Sequence, residues 1–299
     1  ILYTIVRKDY ISNYISAFLL AISITEVFSY LVWLEIIEPF KNATVINPTP
    51  FMSHISYNPF IAFAIYLVVN RLLTGEKLPQ FERVIYTFFT LTMSVNMFIT
   101  GGRAGQVMFF AAIVILAFQY FKNSQIKATI ISVGLIVIIS IWAYNASDLF
   151  ATRITDGFSD ISSYNHNKNS AIGQRITFFI NSSELVKSSP IFGIGVGDFP
   201  IEYIKVNKIF SPEVITTVQP HNMYMLILAQ LGILGLASLA WIFYLQFRIA
   251  LSSSNQFVHH VGVAMPIFFL IIMWSDSYLL GHYTGNLFIL FSSIIYSNR

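Results

Sequence analysis

Eight stretches of the chain run almost without charge: roughly residues 11–34, 55–71, 84–101, 104–121, 128–147, 222–247, 257–279 and 283–297. Most hold 15 or more uncharged residues in a row. A helix that crosses a bilayer needs about 20 mostly apolar residues. The pattern therefore predicts an all-α polytopic membrane protein with about eight transmembrane helices. Residues 1–147 would carry five of them and residues 221–299 three. A long polar segment, 148–220, separates the two sets. Inside it, Ala171 to Lys187 places Ile172, Ile176, Phe179, Ile180 and Val186 near one helical face. Ser188-Ser189-Pro190 closes that predicted helix. The alternating Gly193, Gly195 and Gly197 then signal a turn. Pro200 to Lys208 fits a short interfacial helix.

The basic residues give this string of helices a direction. One set of helix ends carries Arg7, Lys8, Arg71, Lys77, Arg83, Lys122, Lys127, Arg248 and Arg299. The opposite short connections carry only Lys41 and Arg103. The richer set is expected in the cytoplasm, which puts segment 148–220 and the turn at 100–104 on the outer face.

Composition narrows the class. Of 299 residues, 56% are hydrophobic and 10% charged, against about 25% charged in a soluble domain. That excludes a disordered chain and a basic nucleic-acid-binding domain, and the net charge of +3 signals no polyanionic partner. With no cysteine, disulfides, thiolate catalysis and zinc–sulfur sites are excluded. No signal peptide is visible, and a first residue other than Met leads us to expect further spans upstream of Ile1.

Three features of the outer face carry candidate chemistry. Arg103, in Thr100-Gly101-Gly102-Arg103-Ala104-Gly105, is the one charge in a long uncharged run and opens a helix. Intramembrane charge is costly, and a helix N-terminus suits phosphate. The plainer reading is a snorkelling arginine at a tight turn. Arg175, followed by the glycine loop, offers a guanidinium fork and backbone N–H donors, but it also fits a solvated loop residue. The triplet Gly193, Gly195 and Gly197 is no dinucleotide fingerprint, because it lacks the preceding strand and the third-glycine spacing. His221, in Gln219-Pro220-His221-Asn222, is read as the opening of a span, with Pro220 in its first turn. There an uncharged imidazole could serve as general base or merely cap the helix. His54, His166, His259, His260 and His282 stand in less suggestive settings. No His/Asp/Glu spacing suggests a metal. Glu26 could hydrogen-bond within the bundle or pair with an outer arginine, and Asp276 is a second candidate partner. Gly232 and Gly235 read as packing positions.

The order of these motifs resembles the O-antigen ligase and O-antigen polymerase superfamily. The resemblance covers residues 85–245. It rests on Gly102-Arg103-Ala104-Gly105, then Arg175, then Pro190-Ile191-Phe192-Gly193-Ile194-Gly195. His221-Asn222 and Ala229-Gln230-Leu231-Gly232-Ile233-Leu234-Gly235-Leu236 complete it. Gly102 departs from the serine that the family often has there, and family members usually have more spans. The resemblance implies a multi-pass protein of the bacterial inner membrane that moves a glycan from undecaprenyl diphosphate to an acceptor hydroxyl on the periplasmic side. The acceptor is the lipid A core for a ligase or another glycan for a polymerase; related members glycosylate proteins. It implies that Arg103 and Arg175 hold the diphosphate and that His221 activates the acceptor, with inversion at the anomeric carbon. Gly193, Gly195 and Asn222 would support them. No nucleotide, metal or other cofactor enters that scheme. A transporter of a lipid-linked or anionic solute is the competing class, but the internal repeats and broken midplane helices of transporters are not visible.

Overall fold

The computed structural model describes residues 6–41, 43–74 and 78–297. Lys77 and Arg299, two of the charges in the orientation argument, lie outside them. Among the described residues every regular element is helical. A 3-10 turn, Lys8–Tyr10, is followed by α1 (Ile11–Trp33), α2 (His54–Leu73), α3 (Gln80–Ile99), α4 (Arg103–Tyr120), α5 (Gln125–Ala146), α6 (Asp148–Ser162), α7 (Ala171–Ser188), α8 (Phe199–Phe210), α9 (Met223–Ser252), α10 (Gln256–Ile272) and α11 (His282–Tyr296).

Each of the eight uncharged stretches overlaps one of these helices. Five, α1, α2, α4, α5 and α9, are long and apolar enough to cross a membrane, and α10 is a shorter apolar helix of 17 residues. In α3, Thr87, Thr90, Thr92, Ser94 and Asn96 dilute the apolar character, and α11 has only 15 residues. Helix α5 turns Ile126, Ile130, Val133, Ile138 and Ile141 outward. A continuous apolar face of that size belongs against lipid, and the chain is a helical membrane protein.

Helix α2 is the hub. Ile61 to Val68 are buried on every side. It lies against α4 because Gly102 and Gly105 leave room: a Cβ on Gly102 would stand 2.5 Å from the His54 carbonyl oxygen, and one on Gly105 would meet the Asn58 backbone. This explains the departure at position 102, since serine there would strike α2. Phe18, Phe63, Phe268 and Phe291 pack edge to face around the hub.

Three sequence expectations change here. The span expected over 257–279 ends at Ile272, because Trp274-Ser275-Asp276-Ser277 turns the chain. The polar segment contains a helix that was not anticipated, α6, started by Ser147, whose Oγ accepts the Phe150 N–H. The buried face of α7 is also different. It consists of Gly173, Thr177, Phe178, Asn181, Ser182 and Leu185, while Phe179 and Ile180 are exposed. The polar members can be buried because they are bonded: the Asn181 amide donates to Tyr203, Asn207 and Ser211.

Candidate active site

The turn between α3 and α4 is fixed by side chains of α2. The Asn58 amide donates to the Met97 and Gly102 carbonyls, at 3.4 and 3.3 Å, and its oxygen accepts the Thr100 hydroxyl at 2.8 Å. Gln106 adds donations to Met97 and Thr100. From the other side, Asn47 accepts the Gly101 N–H and pairs with His54 Nδ1 at 2.7 Å. These bonds leave Arg103 as the first residue of α4, half-buried, with its Nε buried and unpartnered. A guanidinium N–H without an acceptor in a buried setting is a group poised for one.

Arg103 faces a small cavity of about 90 Å³ whose walls include His54, Arg153, Arg175, Ser275 and Tyr278. The two arginines singled out in the sequence are therefore brought together, and Arg153 of α6 joins them. Arg153 and Arg175 are the like charges that act most strongly on Arg103, and Asp160 and Asp156 partly offset them. Three guanidiniums, one each from α4, α6 and α7, thus line one cavity. Arg153 lies in the polar segment where no helix was expected; the spacing of Phe150 and Ile154 marks α6 as a helix that turns Arg153 toward this cavity. His54 was likewise passed over, yet it lines the cavity.

A larger apolar groove of about 410 Å³ opens beside the cavity, lined by Val107, Phe110, Ile154, Phe158, Ile161 and Ile172, with Arg103 and Arg153 at its polar end. Two neighbouring spaces thus share two arginines, one polar and one apolar.

His221 lies beside this arrangement but not where the sequence put it. Helix α9 starts at Met223, and its N-cap is Asn222, whose oxygen accepts the Met225 N–H at 3.0 Å. Pro220 and His221 therefore precede the helix. His221 has a φ of 50°, the left-handed region, which costs energy for a residue with a Cβ and needs outside support. Phe178 supplies part of it, stacking on the imidazole at 5.9 Å between centroids; it sits three residues after Arg175 on α7. Asp276 supplies the rest, with its Oδ1 3.2 Å from His221 Nδ1. Asp276 is buried, which pushes its carboxyl up. The His221 contact, the Ser277 N–H at 2.7 Å and the Arg175 charge outweigh that and hold it below the usual carboxylate range. The loop 273–281 therefore gives Asp276 to His221 and both Ser275 and Tyr278 to the arginine cavity. Asn222 anchors that loop by donating to the Trp274 carbonyl.

The glycine loop does something else. Gly232 breaks α9, with φ 63° and ψ −161°. In an unbroken helix the Ala229 and Gln230 carbonyls would accept the N–H groups of Ile233 and Leu234. Here those carbonyls accept the N–H groups of Ile194 and Gly195, at 2.8 and 3.1 Å, while Ile233 and Leu234 donate to Pro190 and Ile191. The loop and the break exchange partners, so these four N–H groups and four carbonyls are all paired. Gly193 and Gly195, with φ of 73° and 114°, allow this close approach. They do not line the arginine cavity, which corrects the expectation that their backbone faces a phosphate. Glu26 is buried on α1 and faces Thr92 of α3 within the bundle, and no arginine pairs with it among the described residues. Among the described residues no group of three or more His, Asp or Glu could hold a metal ion.

Residues 88–240 match the family model described as O-antigen ligase. No curated protein matches the chain.

Proposed function

The chain belongs to the O-antigen ligase family by a match over just more than half its length, and from that premise we propose the finer reading that follows. The family makes it a glycosyltransferase-type membrane enzyme of the O-antigen ligase and polymerase superfamily. In the proposed reading it has eight spans in the inner membrane, with residues 1–147 and 221–299 forming the spans and residues 148–220 on the periplasmic side. Its donor is a glycan on undecaprenyl diphosphate, and its acceptor is the lipid A core, which makes it a ligase.

One observation carries the donor assignment: three guanidiniums share a cavity that adjoins an apolar groove. A polyprenyl diphosphate has this split chemistry, with a doubly anionic head on an apolar chain. Arg103, Arg153 and Arg175 would hold the diphosphate oxygens, for which the guanidinium fork is suited. They would also neutralise the charge that grows on the leaving oxygen. Val107, Phe110 and Phe158 would take the first isoprene units.

The acceptor hydroxyl attacks the anomeric carbon, and a new C–O bond forms as the bond from that carbon to the phosphate oxygen breaks. Undecaprenyl diphosphate leaves with the electron pair. The hydroxyl proton goes to His221 Nε2, because Nδ1 is directed at Asp276, which fixes ring and tautomer. The leaving group is already activated, so the scheme needs no nucleotide.

Reconstituted protein given lipid-linked glycan separates the readings. New glycan on added lipid A core supports the ligase. Longer chains made only from two lipid-linked glycans indicate a polymerase. Movement of donor across the vesicle without a new glycosidic bond indicates a transporter and ends the enzymatic reading.

A further inference from the structure

His54 opens α2 and lines the arginine cavity, yet the donor scheme above gives it no part. Its ring is held by Asn47, and the hydrogen bonds of Asn47 decide which ring nitrogen carries the proton. A side-chain amide has one accepting end and one donating end. The Gly101 N–H can only donate, so Asn47 turns its oxygen toward it, at 3.1 Å. The Asn47 NH2 group therefore faces His54 Nδ1, at 2.7 Å, and Nδ1 must accept. An accepting ring nitrogen carries no proton, so His54 is an uncharged imidazole with its proton on Nε2.

Asn47 is itself held in place. Its backbone N–H donates to the Thr44 carbonyl, and its own carbonyl accepts the N–H groups of Thr44 and Thr49. On the other side, the His54 carbonyl lies against Gly102 at the start of α4. His54 Nε2 is left with no hydrogen-bond partner among the described residues, and it is not sealed from solvent. The charges of Arg153 and Arg175 both act on the ring. Arg153 Nη2 stands 3.6 Å from the point where a Gly101 Cβ would lie, and Asn47 Oδ1 stands 3.8 Å from the same point. One free N–H donor is thus placed on a cavity whose charged walls are Arg103, Arg153 and Arg175.

The diphosphate of a lipid-linked glycan is a doubly anionic diester, and three guanidiniums already exceed its charge. A fourth cation would add repulsion among the side chains. A neutral N–H adds a bond to a phosphate oxygen without adding charge. Resting on the donor assignment above, we propose that His54 is a further ligand of the diphosphate, donating its Nε2 proton to a phosphate oxygen, with Asn47 as the residue that sets its tautomer. The same Asn47 holds Gly101, two residues before Arg103, so one hydrogen-bonded unit places the imidazole and the first guanidinium together. His54 takes up no proton in this role, which separates it from His221.

The test is equilibrium binding of undecaprenyl diphosphate to purified protein in lipid nanodiscs, with no acceptor present. The amide of asparagine takes the place of Nδ1, and that of glutamine takes the place of Nε2. His54→Asn should keep the contact with Asn47 but lose the donor, weakening binding by about tenfold to a hundredfold, the scale of a hydrogen bond to a charged group. His54→Gln keeps a donor where Nε2 was and should bind within a few-fold of wild type. The reverse order, with asparagine tolerated and glutamine not, overturns the proposal in favour of a ring that only braces Asn47. Wild-type binding in His54→Asn overturns it too, as does an equal loss in both variants. Should His54→Asn fail to fold, a loss of about tenfold or more in His54→Gln is the overturning result. A wild type that binds no undecaprenyl diphosphate fails one step earlier: it overturns the donor assignment, and the role of His54 falls with it.

Discussion

The turn before α4 and the loop after α7 are both glycine segments that follow a helix, and they serve different ends. At the first, Gly102 and Gly105 let α4 approach α2, and side-chain amides take up the turn's backbone groups. Arg103 is left with an unpartnered N–H facing a cavity. At the second, Gly193 and Gly195 bring the loop's own N–H groups onto the carbonyls freed at Gly232. One glycine turn presents a charge to a ligand space; the other completes a broken helix. Where the backbone donors go decides which is which, and glycine spacing does not report that.

The largest effects are expected on the cavity side. His221→Ala should lose transfer by about 100- to 10,000-fold, the range for general-base assistance, with donor affinity kept. Donor binding and single-turnover transfer measured separately check this; weakened binding with normal turnover of bound donor would move the base elsewhere. Next come Arg103→Ala and Arg175→Ala, each expected to lower transfer by about 100- to 1,000-fold, the scale of a lost oxyanion donor. Lysine at either position should rescue only in part, because a point charge cannot form the bidentate fork. Arg153→Ala should raise the donor KM by about tenfold or more, the scale of a lost charge-assisted hydrogen bond. Full activity in Arg103→Ala would remove the distinction between the two turns.

On the loop side the effect should appear in stability instead. Gly232→Ala places a Cβ against the Ile191 carbonyl and holds alanine in a backbone region essentially reserved for glycine, which alone costs about 1–3 kcal/mol. Its Tm should fall by several degrees, while transfer per folded molecule stays near wild type. Gly195→Ala, at φ 114°, should do the same more mildly. A glycine variant with normal Tm and lost transfer would put the loop back in the site.

Much of the helical order is legible in the sequence because uncharged runs of membrane length have few alternatives. The helices α7 and α8 were also legible, since Pro190 and Pro200 punctuate them. The burial of α7 was not: Asn181 faces inward because Tyr203 and Asn207 on α8 accept its amide, and the Thr177 hydroxyl donates to Gly173 of its own helix and pairs with the Tyr164 hydroxyl. Tyr164, Tyr203 and Asn207 lie outside α7, and the spacing of α7 does not reveal them. Arg103, Arg175 and His221 were legible as chemical types at an outer level. Arg153 lies in the first part of the polar segment, where no helix was expected. The pairing of His221 with Asp276 spans 55 residues and depends on where α10 stops, four residues before Asp276, which an apolar run extending to residue 279 conceals.

That pairing yields the smallest expected effect, and pH reads it. The Asp276 carboxyl is held below its ordinary range, so the folded state binds its proton less readily than the unfolded chain. Such a group contributes stability above the unfolded value, about 3.9, and loses it as pH falls through the lower folded value. Asp276→Asn keeps an oxygen that can accept from Nδ1 but carries no charge. The Tm gap between wild type and Asp276→Asn should therefore be steady from about pH 7 to 5 and narrow below about pH 4. Part of the gap is screened, because the His221 side chain is 29% exposed. A gap that widens on acidification would mean that the carboxyl is already protonated near neutrality. The loop 273–281 would then hold His221 by shape alone, and the cavity would differ from the α9 break in its arginines only.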